Sequence, residues 1–216
     1  MILAIYGSGG LGKEVFDLAS RRNSVSNLWS KIVFINDFID EGSVYGAQVI
    51  HFETLLKSKD DYEVVIAVGE PSSREKLYQK LTDNKIKSAT LIDPTALVSP
   101  SAVIEDGAIV SEYSTIHCNV KVGKNCLIQP YCCLGHDIQV GNHTVLSAYF
   151  SPGGSTVFGN KVYCGMHSIV KEKLTIGDGA VVAMGAVVFN DVASQSVVIG
   201  NPARVTRGND EGKVFK

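Results

Sequence analysis

No apolar run in this 216-residue sequence approaches the ~20 residues that a helix needs to cross a membrane. The opening MILAIYGSGG is too short for a secretory signal and has no basic leader. Neither charge dominates. Lysines and arginines number 20 against 22 aspartates and glutamates, a net charge of −2 that gives no electrostatic reason to expect nucleic acid. Cysteine is scarce: five residues, all between 118 and 164, with no CxxC among them. They read as reduced packing residues of a cytoplasmic protein. What remains is a chain with 45% hydrophobic residues, enough for one large domain or two modest ones with a real core.

What is present in abundance is a repeat. From Val98 to Val188 an apolar residue recurs at every sixth position without a slip, through Ile104, Val110, Ile116, Val122, Ile128, Leu134, Val140, Leu146, Pro152, Phe158, Cys164, Val170, Ile176 and Val182. Two positions earlier the residue is often small, as at Ala96, Ala108, Ser114, Cys126, Cys132 and Ala180, and glycine often follows, as at Gly123, Gly141 and Gly159. A six-residue period matches neither a helix face nor a two-residue strand alternation. It matches a solenoid of short strands joined by tight corners, with three hexads to each triangular coil. Pro152, the one proline of the inward series, cannot donate to a sheet ladder and marks a distorted corner or a small excursion.

The first third of the chain is organised differently. MILAIY reads as a strand, Gly7-Ser8-Gly9-Gly10-Leu11-Gly12 as a tight turn, and Lys13 to Arg22 as a helix. That order opens a Rossmann-like unit, in which amides at the helix start can hold phosphate. A second strand, Lys31 to Ile35, runs into Asn36-Asp37, where an acidic residue is placed to bond a nucleoside's hydroxyls or base. A third strand at Val64–Val68 and a helix from about Ser72 to Leu81 complete a half-size α/β unit. Such a glycine turn also occurs merely because a helix packs closely on a strand, so both readings stand at this point.

Chemistry points to the repeat. In a coil of eighteen residues, positions eighteen apart stack at ~4.8 Å. His136 therefore falls beneath Gly154, in the Gly153-Gly154 pair after Pro152. A base next to a bare backbone N–H is what acyl transfer asks for, since one takes the nucleophile's proton and the other holds the oxyanion. Asp137 follows directly and is suited to fix the tautomer of His136, although that contact needs the corner to bend. A lone histidine on a solenoid face is more often a solvated polar residue, and it is the glycine neighbour that favours function. His136 and His143 fall on different faces, as do His143 and His167, so no three-ligand metal centre is expected.

With these residues in view, the sequence resembles the hexapeptide-repeat sugar acetyltransferases of the sialic acid O-acetyltransferase and bacillosamine-pathway N-acetyltransferase type. The resemblance runs from Gly7–Gly12 and Phe34-Ile35-Asn36-Asp37, through the hexads with Gly135-His136-Asp137, to Gly200-Asn201-Pro202-Ala203. It implies a left-handed parallel β-helix, a homotrimer, and acetyl-CoA as co-substrate in a groove between two subunits. It further implies His136 as general base, Asp137 as its supporting carboxylate, and Gly154 N–H on the acetyl oxygen. Met166 and Met184 match positions that hold the pantetheine arm, and Val145 a position where relatives often carry a second histidine near the acetyl group. Gly9, Gly10, Leu11, Asn36 and Asp37 match sugar-nucleotide positions. Gly135 departs from a frequent Glu, and Leu11 from a frequent His.

The expectation is thus an α/β Rossmann-like domain over residues 1–88, a β-helix acyltransferase domain over 89–200, and a polar tail over 201–216 that frays. The activity expected is acetyl-CoA-dependent acetylation of an amine or hydroxyl on a sugar or sugar nucleotide, in the cytoplasm and in surface-glycan biosynthesis. The rival is a non-catalytic sugar-nucleotide-binding solenoid or scaffold, and thiol release from acetyl-CoA separates the two.

Overall fold

The computed structural model describes residues 1–215. Its N-terminal unit is built on β1 (Ile2–Tyr6), which lies between β2 (Lys31–Ile35) and β5 (Tyr62–Ile66), parallel to both. Leu3, Ala4 and Ile5 are fully buried, because both faces of this central strand are covered. The first helix, α1 (Gly10–Ser26), extends beyond the sequence expectation at both ends and buries Val15, Leu18 and Ala19 on one face of the sheet. On the other face lie α2 (Phe52–Lys57) and α3 (Pro71–Asp83), the latter opening on a proline that needs no amide partner there. A hairpin of β3 (Gly42–Val44) and β4 (Ala47–Ile50) extends the sheet beyond β2; neither it nor α2 was legible in the polar sequence around it.

From Leu91 the chain becomes the expected left-handed parallel β-helix, an exception to the usual right-handed crossover. Seventeen two-residue strands run from Leu91–Ile92 to Val187–Val188, so the repeat starts one hexad before Val98. Each strand pairs with the one eighteen residues away, as Leu127 does with Ile109 and Val145. Inward residues from Val110 to Val188 are buried in one column, each branched side chain contributing ~1.5–3 kcal/mol. Corners fall every six residues at positive φ, including Asn119, Asn125, Asp137 and His143.

Pro152 sits in a regular strand, Ser151–Pro152, paired with Ile169–Val170, and not in an excursion. Here the ladder donors are the residues on either side, Ser151 to Ser168 O (3.2 Å) and Gly153 to Val170 O (2.8 Å). Toward the rung below, proline has no N–H to give, and Cys133–Leu134 is left unpaired with Ser151–Pro152. The sheet is accordingly divided at this point: strands at 97, 115 and 133 form one group, and those at 151, 169 and 187 another.

The two units share a core. Leu91, Ile109, Leu127 and Val145 point outward from one face of the prism and pack with Leu3, Ile5, Val15 and Leu18. Arg74 of α3 is completely buried at the seam, donating to Ile66 O, Asn125 O and Asn125 Oδ1 at 2.7–2.9 Å. Arg21 of α1 pairs with Asp93 at 2.8 Å and Glu112 at 3.0 Å on the other side of the same face. The tail does not fray as expected. Arg204–Gly208 pairs antiparallel with Ser196–Ile199, Asn209 is buried, and the Glu70 carboxylate accepts from Val214 and Phe215 N–H at 3.0 Å. No helix among the described residues is long and apolar enough to cross a membrane.

Candidate active site

The corner after the strand Cys133–Leu134 creates the first part of the site. Asp137 adopts φ +59, which swings its side chain back beside that of its neighbour. Its Oδ2 accepts from His136 Nδ1 at 2.8 Å, the contact that a straight strand would forbid. The imidazole is then left with Nε2 as an acceptor. That hydrogen bond, followed by one from Asn119, holds the Asp137 carboxyl below the usual aspartate range. Directly above lies Gly154, where a Cβ would come 2.6 Å from His136 Nε2. Only glycine leaves room for the ring.

The Gly154 N–H has no acceptor among the described residues. Gly135 helps to keep it bare, since a Cβ there would approach Gly154 N to 3.3 Å. The structure thus brings His136, Asp137 and Gly154 together on one exposed edge. It does not bring Val145 to them. Val145 is 1% exposed in the core shared with the N-terminal unit, on another face, and has no surface to offer a cofactor. Met166 and Met184 stack as expected and are 48% and 71% exposed, but on the next edge of the prism. Cys118 and Cys133, read as packing residues, are exposed, whereas Cys126, Cys132 and Cys164 are buried. Burial pushes the Cys126 and Cys132 thiols up to about 12. The described residues contain no group of three potential metal ligands.

A second site lies in the N-terminal unit. A cavity of about 540 Å³ is lined by Gly9, Gly10, Leu11, Asn36 and Asp37 together. The glycines of the turn divide into two kinds. A Cβ on Gly7 or Gly12 would strike backbone, Ala67 O at 2.7 Å and Gly7 O at 2.2 Å, so these two are needed for packing. A Cβ on Gly9 or Gly10 would meet nothing within 4 Å, so packing gives no reason for them. The start of α1, with its unpaired amides, faces the space they leave.

Asp37 is less free than its place in the sequence suggests. Its Oδ1 accepts from Phe52 N–H (2.8 Å), and its Oδ2 from Tyr6 OH (2.5 Å) and Lys80 Nζ (3.3 Å). Burial alone would raise this carboxyl, but those three donors outweigh it and hold it below the usual range. Asn36 ties the turn down, donating to Ser8 Oγ at 2.7 Å and accepting from Phe38 N–H at 2.9 Å. Phe38, 97% exposed beside the cavity, and Lys80 are two lining residues that sequence reasoning missed. The signal for Phe38 was an aromatic directly after Asn36-Asp37; Lys80 carried none.

Comparison with known proteins bears on both parts. Residues 2–81 match the family model described as the PglD N-terminal domain. Over 212 residues the chain is 27% identical to the GDP-perosamine N-acetyltransferase of Escherichia coli O157:H7, covering 94% of this chain and 95% of that one. The acetyltransferase domain of PglB from Neisseria gonorrhoeae, solved with acetyl coenzyme A, superposes with a TM-score of 0.88 at 28% identity, over 95% of this chain and 98% of that one. Over nearly its whole length the chain is thus similar to sugar acetyltransferases, and its first 81 residues to the PglD N-terminal domain. Its fold is also that of a mutant perosamine N-acetyltransferase from Caulobacter crescentus, solved with CoA and GDP-perosamine (TM-score 0.87, 24% identity, 96% and 97% coverage). That similarity fits the division seen here, a small α/β unit with a glycine-lined cavity joined to a β-helix that carries His136 and Gly154 on one edge.

Proposed function

We propose that the protein transfers the acetyl group of acetyl-CoA to the amine of an amino sugar carried on a nucleotide. The observation that carries this reading is the approach of His136 Nε2 to Gly154, with Asp137 bonded to the opposite ring nitrogen. Nε2 takes a proton from the amine as its lone pair attacks the thioester carbonyl. Gly154 N–H meets the negative charge that develops on the carbonyl oxygen. The tetrahedral intermediate then collapses and expels the CoA thiolate, which is protonated as it leaves. Direct transfer needs no covalent enzyme intermediate. The relatives named for GDP-perosamine support an amine as acceptor, and the bound acetyl coenzyme A of the PglB domain supports the donor.

The nucleotide would occupy the N-terminal cavity, its phosphates at Gly9, Gly10 and the start of α1. The prism then imposes a condition. The N-terminal unit covers the face bearing Ile109, Leu127 and Val145, and His136 lies on the edge opposite that face. A sugar nucleotide held in one protomer's cavity therefore reaches the His136 of a neighbour, which is our reason for a homotrimer with shared sites. The exposed Met166 and Met184 edge offers backbone for the pantetheine arm at the same seam. Acetyl-CoA supply and free thiols fit a cytoplasmic enzyme, and its product fits surface-glycan assembly.

The test has two steps, each read by CoA thiol release with a panel of amino-sugar nucleotides. His136→Ala loses ~10²–10⁴ in turnover while still binding acetyl-CoA. Turnover at the wild-type level in that variant would reject the base. Gly9→Tyr fills the cavity and is inactive alone. Refolding an equal mixture of the two variants restores about a quarter of the sites if each is built from two protomers. No recovery would reject the shared site and leave the base assignment standing.

A further inference from the structure

We propose that Asn119 is a positioning residue for this reaction, fixing the Asp137 carboxylate and through it the tautomer and tilt of the His136 imidazole. The proposal rests on His136 being the base. Asn119 occupies the same corner one rung below Asp137, and its Nδ2 donates to Asp137 Oδ1 at 3.0 Å. The other oxygen, Oδ2, accepts from His136 Nδ1 at 2.8 Å. Each carboxylate oxygen thus has one side-chain partner, and the chain Asn119–Asp137–His136 ends at the reacting nitrogen.

The need for such a partner follows from exposure. The side chains of Asp137 and His136 are 50% and 63% exposed, so the only close packing is the glycine above the ring, and the carboxylate has none. A carboxylate on two free torsions, in water, would otherwise rotate or exchange its oxygens. Asn119 is itself anchored, for its backbone N–H donates to Ser101 Oγ at 3.1 Å. It also suits the corner: φ is +59 there, a conformation that asparagine tolerates better than most residues. Only the amide's NH₂ end can face a carboxylate, so its orientation is set by charge. The rungs above in this column carry Ser155 and Lys173, which leaves Asn119 as the donor beneath the carboxylate.

A purely structural corner and a positioning residue differ in a double-mutant cycle. Asn119→Gly removes the side chain and accepts positive φ without strain. It is expected to lower kcat about threefold to tenfold, with KM for acetyl-CoA unchanged. In an Asp137→Ala background the same change is expected to do nothing further, because Asn119 would have nothing left to hold. Nitrogen NMR of the histidines should show His136 losing its single tautomer in Asn119→Gly. An equal loss in both backgrounds, or a single variant with wild-type kcat and an intact tautomer signal, would overturn the proposal. His136→Ala assayed alongside separates the two ideas: if it abolishes turnover while Asn119→Gly does not alter it, only the role of Asn119 fails.

Discussion

His136 and His143 stand seven residues apart on neighbouring edges of one prism, and the structure gives them opposite fates. Around His143 the corner amides are sealed. Lys124 N–H donates to Asn142 Oδ1 (2.9 Å), Asn142 N–H to Asn160 Oδ1 (2.9 Å), and Asn160 N–H to Asp178 Oδ1 (2.7 Å). His143 itself is half-buried, its Nδ1 3.0 Å from Asn125 Nδ2 and its ring edge-on to Tyr78. Around His136 no side chain caps the amide of Gly154, which faces solvent. The difference lies in the neighbourhood and not in the residue type. The N-terminal unit covers one face and reaches the two edges that border it, with Arg74 and Tyr78 at one and Arg21 at the start of the other, whose later rungs stay exposed at Met166 and Met184. The third edge carries His136 and Gly154.

The comparison breaks most visibly at Gly154. Gly154→Ala puts a methyl group 2.6 Å from His136 Nε2, so the ring must swing away from the bare amide. The expected result is a turnover lower by about 100-fold, comparable to losing an oxyanion donor, with the thermal midpoint nearly unchanged because the ring moves into solvent. A variant with full activity would mean that the edge is not where transfer occurs. The matching change on the sealed edge is Asn160→Ala, which strips the cap from Asn142 N–H. It should cost about 1 kcal/mol of stability in urea unfolding and leave kcat alone. Activity lost there, with stability kept, would erase the distinction between the two edges.

The contrast also marks how far the sequence could be read. The repeat, its inward column and the pairing of His136 with Gly154 were legible, because a strict period of six makes position arithmetic equivalent to geometry. The glycine turn and Asp37 were legible through the strand–turn–helix order, and the resemblance singled out the five cavity residues. The division of the edges was not, although its trace was present. Outward residues at 109, 127 and 145 are Ile, Leu and Val, while those at 121 and 139 are Lys and Gln. An eighteen-residue period in the outward positions therefore marks the face that binds the N-terminal unit, and the six-residue period conceals it. Val145, taken from the resemblance, belongs to that covered face. Asn119 was invisible because its partner depends on two positive-φ corners coming into register, and the tail because its anchor, Glu70, lies 144 residues away in sequence.

The finest expected difference between the two histidines is in how stability depends on pH. Burial lowers the pKa of His143 from 6.5; Arg74 and Lys161 act in the same direction, and Glu75 opposes them. The folded protein therefore resists protonating this ring, whereas the unfolded chain accepts a proton once the pH falls below about 6.5. Stability supplied by the neutral ring is complete above that value and is lost as the pH descends toward the lowered folded pKa. His143→Asn tolerates the positive φ and removes the titration. Urea unfolding at about pH 7.5 and about pH 5.5 should then show a smaller loss in the variant than in the wild type. Because every other titrating group is common to both proteins, the difference between the two slopes belongs to His143. An unchanged slope would show that this ring is free to protonate in the fold, and that the edge it occupies is not sealed against solvent after all.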